Sequence, residues 1–220
     1  MRFIKIIFSF LFLVSVNVFG QSEGKSPCGD SLGEAIMNPK AVTDPEYYSN
    51  LIRKYDCDKA VQSWLYYYRA YVKYKNADKM GAMGDLTSSI ETEPTVFGYY
   101  FRGVLKHELK DFKGAATDLT NALRRCRVKT ASIRTGIDDI TQSDIFLMRG
   151  RTNLESKQYT SAIQDFDNLI LIERRNKDGY FLRAICEFEL EQNEKACSDW
   201  RTSSELGDER AFEYISKNCQ

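Results

Sequence analysis

Apolar residues recur three and four apart over most of the chain from residue 64, and short polar joints interrupt the pattern. That spacing predicts amphipathic helices. Joints such as Lys75-Asn76-Ala77-Asp78 and Leu109-Lys110-Asp111 predict that the helices come in pairs, each a helix–turn–helix hairpin. Four windows superimpose when aligned on a small residue, Ala70, Gly103, Gly150 or Ala184; the anchors are spaced by 33, 47 and 34 residues. Twelve residues after each anchor stands alanine: Ala82, Ala115, Ala162, Ala196. Sixteen after stands a bulky apolar residue: Leu86, Leu119, Phe166, Trp200. Small residues on both helices let the backbones approach, and the large ones fill the space beside the crossing.

Three further columns complete the repeat. An aromatic lies four before the anchor (Tyr66, Tyr99, Phe146, Tyr180), and arginine lies one before it (Arg69, Arg102, Arg149, Arg183). Aspartate lies fifteen after it (Asp85, Asp118, Asp165, Asp199). The register places Tyr66 and Tyr99 in the core. Arginine and aspartate fall on facing helices, which predicts four ion pairs, Arg69–Asp85, Arg102–Asp118, Arg149–Asp165 and Arg183–Asp199, that fix the hairpin register. Such pairing leaves no row of free arginines to bind anions.

These columns resemble the tetratricopeptide repeat (TPR) family, whose period is about 34 residues. With the anchor as the eighth position, the first repeat supplies Tyr66, Ala70, Ala82, Leu86 and Pro94, and the second Tyr99, Gly103, Ala115, Leu119 and Ala122. Leu169 and Ser203 depart from the family's second alanine, and the family proline survives only as Pro94. The resemblance implies an all-α solenoid with four repeats, about 63–96, 96–129, 143–176 and 177–207, and an insert near 130–142. Arg124, Arg125, Arg127, Lys129 and Arg134 make the insert's surroundings basic; this reads as a solvated loop or as a contact for an acidic partner.

In the family the inner groove, lined by first helices, binds an extended peptide or a partner helix. The matching positions are Tyr67, Tyr71 and Tyr74 in repeat one and Tyr100, Val104 and His107 in repeat two. Repeat three supplies Leu147, Arg151 and Leu154, and repeat four Phe181, Ile185 and Phe188. Tyrosine offers large contact area with few rotatable bonds, which suits recognition. The competing reading packs these tyrosines inside the array or against the N-terminal arm.

The flanks read as follows. Residues 1–20, MRFIKIIFSFLFLVSVNVFG, carry Arg2 and Lys5, then an apolar run, then Val18 and Gly20 at −3 and −1 of a cut. This is a secretory signal peptide cleaved after Gly20, which predicts a periplasmic or secreted chain with no membrane span after cleavage. Residues 21–43 read as a loosely ordered arm and 44–63 as an N-terminal capping region, with a helix over 45–55 capped by Asp44. Gly207 ends the last repeat helix, and Asp208 caps a final helix within 207–220.

All six cysteines follow the predicted cut. Export favours disulfides. A Cys197–Cys219 bridge would staple the final helix and a Cys28–Cys57 bridge the N-terminal arm; Cys126 and Cys186, in different repeats, are expected unpaired.

Lys+Arg and Asp+Glu both number 31, so nothing draws the chain to nucleic acid. A single histidine, with no P-loop, GxGxxG or HExxH, points to no catalytic residue, cofactor or metal. The expected function is a protein–protein interaction module or scaffold, not an enzyme. The alternative is an accessory subunit of a cell-envelope system that contacts polysaccharide through its tyrosines or contacts an envelope enzyme.

Overall fold

The computed structural model describes residues 43–54, 58–127 and 140–219. The predicted signal peptide, the arm to residue 42, Cys28, Cys57 and nearly all of the insert lie outside the described residues. Within them are ten helices and no strand: α1 (Pro45–Lys54), α2 (Lys59–Lys75), α3 (Lys79–Thr92), α4 (Val96–Glu108), α5 (Phe112–Arg127), α6 (Gln142–Glu155), α7 (Tyr159–Ile172), α8 (Lys177–Glu189), α9 (Asn193–Glu205) and α10 (Arg210–Asn218). No helix among the described residues is long and apolar enough to cross a membrane.

Local chemistry sets the helix ends. Asp44 Oδ1 accepts from the Glu46 amide at 2.9 Å, as expected of a cap on α1. Asp58 accepts from the Ala60 amide at 2.8 Å, so α2 starts at Lys59. Residues 59–63, expected within the capping region, therefore belong to the first repeat helix. Thr141 and Asp144 form a capping box on α6. Each hairpin turn holds one residue in the left-handed region, Ala77, Lys110, Lys157 or Glu191, all seven after an anchor. The following amide then reaches back across the helix end, as from Asp78 to the Lys73 carbonyl at 2.9 Å and from Gln192 to the Glu187 carbonyl at 2.9 Å. Gly207, with φ +86°, ends α9 the same way, and Asp208 accepts from the Arg210 amide at 3.2 Å.

The chain divides into two compact units, and α4 passes from one to the other at Arg102/Gly103. In the first unit α2 and α3 bury Leu65, Ala70, Val72, Ala82, Leu86 and Ile90. Helix α1 adds Tyr48 and Leu51 to a cluster with Val61, Leu65 and Val72. The far end of this hairpin is closed by hydroxyls: Ser63 donates to the Ser89 carbonyl at 2.9 Å and Ser89 to the Ser63 carbonyl at 2.8 Å.

In the second unit the anchors show why small residues are needed. A Cβ at Gly103 would stand 2.9 Å from the Leu119 side chain, and one at Gly150 would stand 2.6 Å from the Phe166 ring. Leu119, Phe166 and Trp200 are fully buried. The departures from the family's second alanine also find their reason here. Ser203 donates to the Lys177 carbonyl at 2.9 Å, and Leu169 fills the space beside Gly179. Helix α10 packs Tyr214 on Trp200, ring centroids 5.0 Å apart, and on Phe181 at 5.2 Å.

Candidate functional site

Three of the four predicted ion pairs are formed within a unit. Arg69 donates to Asp85 at 2.6 and 2.8 Å, Arg149 to Asp165 with a shortest contact of 2.6 Å, and Arg183 to Asp199 at 2.6 and 2.9 Å. Of the second-repeat residues, Arg102 donates to Thr87 at 3.3 Å and Asp118 meets Lys106 at 2.8 Å. The acids are buried and the guanidiniums about one-fifth exposed. Burial pushes the Asp165 carboxyl upward, and Arg149 and Asn153 pull it back.

The same arginines make two contacts that the columns did not announce. Each lies over the aromatic three residues before it: Arg69 over Tyr66, Arg102 over Tyr99, Arg149 over Phe146, Arg183 over Tyr180. Tyr66 and Tyr99 are therefore half-buried platforms beneath a cation and not core residues as expected. Each arginine also reaches the element before its own hairpin. Arg69 donates to Ser49 at 3.0 Å, Arg102 to Thr87, Arg149 to Thr120 at 2.9 Å and Arg183 to Asp167 at 2.6 Å. Thr87, Thr120 and Asp167 all stand seventeen after an anchor, a column visible in the sequence once its purpose is known.

The predicted groove positions separate into two sets. Tyr67 is only 7% exposed, against Phe101 at 5.2 Å and Trp64 at 5.7 Å; it belongs to the core of the first unit. Tyr71 packs against the cluster that α1 completes. His107 is tied inward: its ring meets Thr152 Oγ1 at 3.1 Å and Glu155 at 3.3 Å. Phe181 is buried under Tyr214 and Arg210, whose guanidinium lies 4.3 Å from the ring centroid. The groove expectation is corrected at these four residues, because α4, α1, α6 and α10 pack on the faces that Tyr67, Tyr71, His107 and Phe181 respectively present. Tyr74, Tyr100, Val104, Leu147, Arg151, Leu154, Ile185 and Phe188 keep accessible surface. Of these, Leu147, Arg151 and Leu154 share a face of α6, and Ile185 and Phe188 a face of α8; the two helices touch.

Cys197 and Cys219 are bonded, as expected, with sulfurs 2.04 Å apart. Cys126 and Cys186 are free thiols. Burial, then Glu187, pushes the Cys186 thiol up to about 12, which makes it unreactive. Among the described residues no group of three or more His, Cys, Asp or Glu is placed to hold a metal ion.

One further feature combines Arg183 and Asp199 of the repeat columns with Glu187, a residue that no column marks. A cleft of about 360 Å³ opens between α7 and α9 over α8, with Glu187 in its lining. Glu187 is 7% exposed, and its Oε2 has no hydrogen-bond partner among the described residues. Burial first, and then Asp199, raises its carboxyl to about 7.

No protein-family model matches the chain, and no curated protein matches it. Solved structures do. YrrB, a TPR protein with an unusual peptide-binding site, is 16% identical with a TM-score of 0.59, over 74% of this chain and 76% of that one. MamA from Desulfovibrio magneticus RS-1 is 18% identical with a TM-score of 0.56, over 69% and 77%. The APC/C hetero-tetramer Cut9–Hcn1 is 14% identical with a TM-score of 0.62, over 88% of this chain and 36% of that one. At these identities the likeness concerns fold alone, and the fold is that of the TPR solenoids.

Proposed function

We propose that the chain is a non-enzymatic, exported scaffold that binds a protein segment on the first-helix face of α6 and α8. The observation that carries this reading is the unequal use of those helices. One side of each is consumed by packing, through Ile145, Phe146 and Gly150 on α6 and Leu182, Ala184 and Cys186 on α8. Leu147, Arg151 and Leu154, with Ile185 and Phe188, remain accessible as an apolar strip with one guanidinium. Apolar anchors with a single charge for orientation suit a peptide or helix. YrrB, of the same fold, has a peptide-binding site, which favours this use of the face. Export rests on the order of charge, apolar run and small residues in residues 1–20.

The test is in-cell crosslinking and pull-down of the tagged protein beside a Leu154→Glu/Phe188→Glu variant with unchanged helicity and melting. One recurrent protein partner, lost in the variant, is expected. Recovery of cell-envelope polymer in place of a protein, or a partner retained by the variant, overturns the reading.

A further inference from the structure

The cleft between α7 and α9 lies on residues that the proposed partner face does not use. Its chemistry is lopsided. Asp167, Glu187 and Asp199 contribute three carboxylates, and Arg183 and Lys195 two cations. Arg183 is fully engaged, with Nε and Nη2 on Asp199 and Nη1 on Asp167 at 2.6 Å. Lys195 is exposed and donates to Gln192 Oε1 at 2.9 Å. Among the described residues, that leaves the negative charge of Glu187 without a counter-ion in contact, on a side chain more than nine-tenths buried. Burying an unpaired carboxylate is costly, so such a group is held by its surroundings for a partner or is neutralised by a proton. Beside it, Ile163 supplies an apolar wall and Ser198 a hydroxyl.

We propose that this cleft binds an organic cation, an alkylammonium or guanidinium group such as ends a lysine or arginine side chain, with Glu187 as its carboxylate partner. The aliphatic stem lies along Ile163, and the charged head pairs with the Glu187 carboxylate. Stem-and-head recognition of this kind needs one apolar wall and one buried acceptor, and the cleft has both. Asp167 and Asp199 do not compete for the ligand, because Arg183 already holds them. Lys195 is the other cation among the described residues that line the cleft, and it opposes the ligand. Since Glu187 keeps a proton up to about pH 7, cation uptake below that pH releases one.

The probes are Nα-acetyl-lysine methylamide, Nα-acetyl-arginine methylamide and a Gly-Gly-Lys-Gly-Gly peptide, added to the full chain. The readouts are the backbone amide shifts of Gln192 and Ser198, which line the cleft and are present in every variant, and, where Glu187 is present, its carboxyl 13C shift and titration midpoint. The inference predicts a saturable shift and a midpoint that moves to lower pH with probe. Glu187→Gln is expected to weaken binding at least about tenfold, the loss of one charge-assisted contact. Lys195→Ala is expected to tighten it, and this exposed substitution leaves the core untouched. If the peptide binds more tightly than the amides, the source is a protein segment; if equally, a small free amine. A shift that does not saturate, or is the same in Glu187→Gln, overturns the inference, as does weaker binding by Lys195→Ala.

Discussion

At Gly150 the space for a side chain is already taken by Phe166, whose ring would lie 2.6 Å from a Cβ, while at Gly84 nothing lies within 4 Å. Two substitutions that look alike therefore have opposite signs. Gly150→Ala is expected to cost about 1–3 kcal/mol through overpacking. Gly84→Ala is expected to add about 1 kcal/mol, because an exposed mid-helix glycine is a poor helix former. Denaturant melts of both variants check this, and a neutral Gly150→Ala would contradict the packing described. Glu187 predicts a pH effect. Its folded value of about 7 lies above its ordinary 4.5, so the protonated form is favoured in the fold. Its contribution to stability is present below about pH 4.5 and is lost as pH rises through about 7. Asp167 from α7, Arg183 from α8 and Asp199 and Lys195 from α9 face it in both states. Glu187→Gln is expected to flatten this part of the stability profile and to be the more stable protein at pH 8.

At the scale of the helix, Arg69, Arg149 and Arg183 each join three elements at once: their own helix through its aromatic, the facing helix through its aspartate, and the element before. Asp165→Ala leaves Arg149 in a pocket made for an ion pair. It is expected to cost about 3 kcal/mol, with the melting temperature as the check. The hairpins were legible because their requirements are local and repeated; a small residue opposite Leu, Phe or Trp marks each crossing four times. The turns were legible as polar joints but not in detail. The left-handed position falls on Ala77, Lys110, Lys157 and Glu191, none of them the glycine that would signal it. The arginines' reach to Thr87, Thr120 and Asp167 was hidden for a different reason. Threonine and aspartate seventeen after an anchor are ordinary surface residues until the neighbouring hairpin is in place. Tyr67, Tyr71 and Phe181 stand on the helix face that the register assigns to the groove. Tyr67 is taken up by Phe101 of the next repeat helix, and α1 and α10, which cover Tyr71 and Phe181, carry no repeat signature.

For the molecule as a whole, the disulfide decides how the last hairpin is finished. Helix α10 has nine residues and leaves Phe212 largely exposed, so its hold on α9 rests on Tyr214, Ala211, Arg210 and the Cys197–Cys219 bond. Reduction is expected to lower stability by roughly 3 kcal/mol in the loop-entropy account, read by melting with and without reductant. A melt unaffected by reductant would mean that α10 docks without its staple. The account's central claim is that the face of α6 and α8 left free by packing is where a protein partner sits. The most direct measurement places a photoreactive residue in turn at Leu147, Leu154 and Phe188, and at the exposed positions Met80 and Thr117, in the protein expressed in its own cells. The account predicts adducts to one protein from the first three positions and none from the other two. Adducts that arise equally from Met80 and Thr117, or from them alone, would contradict it.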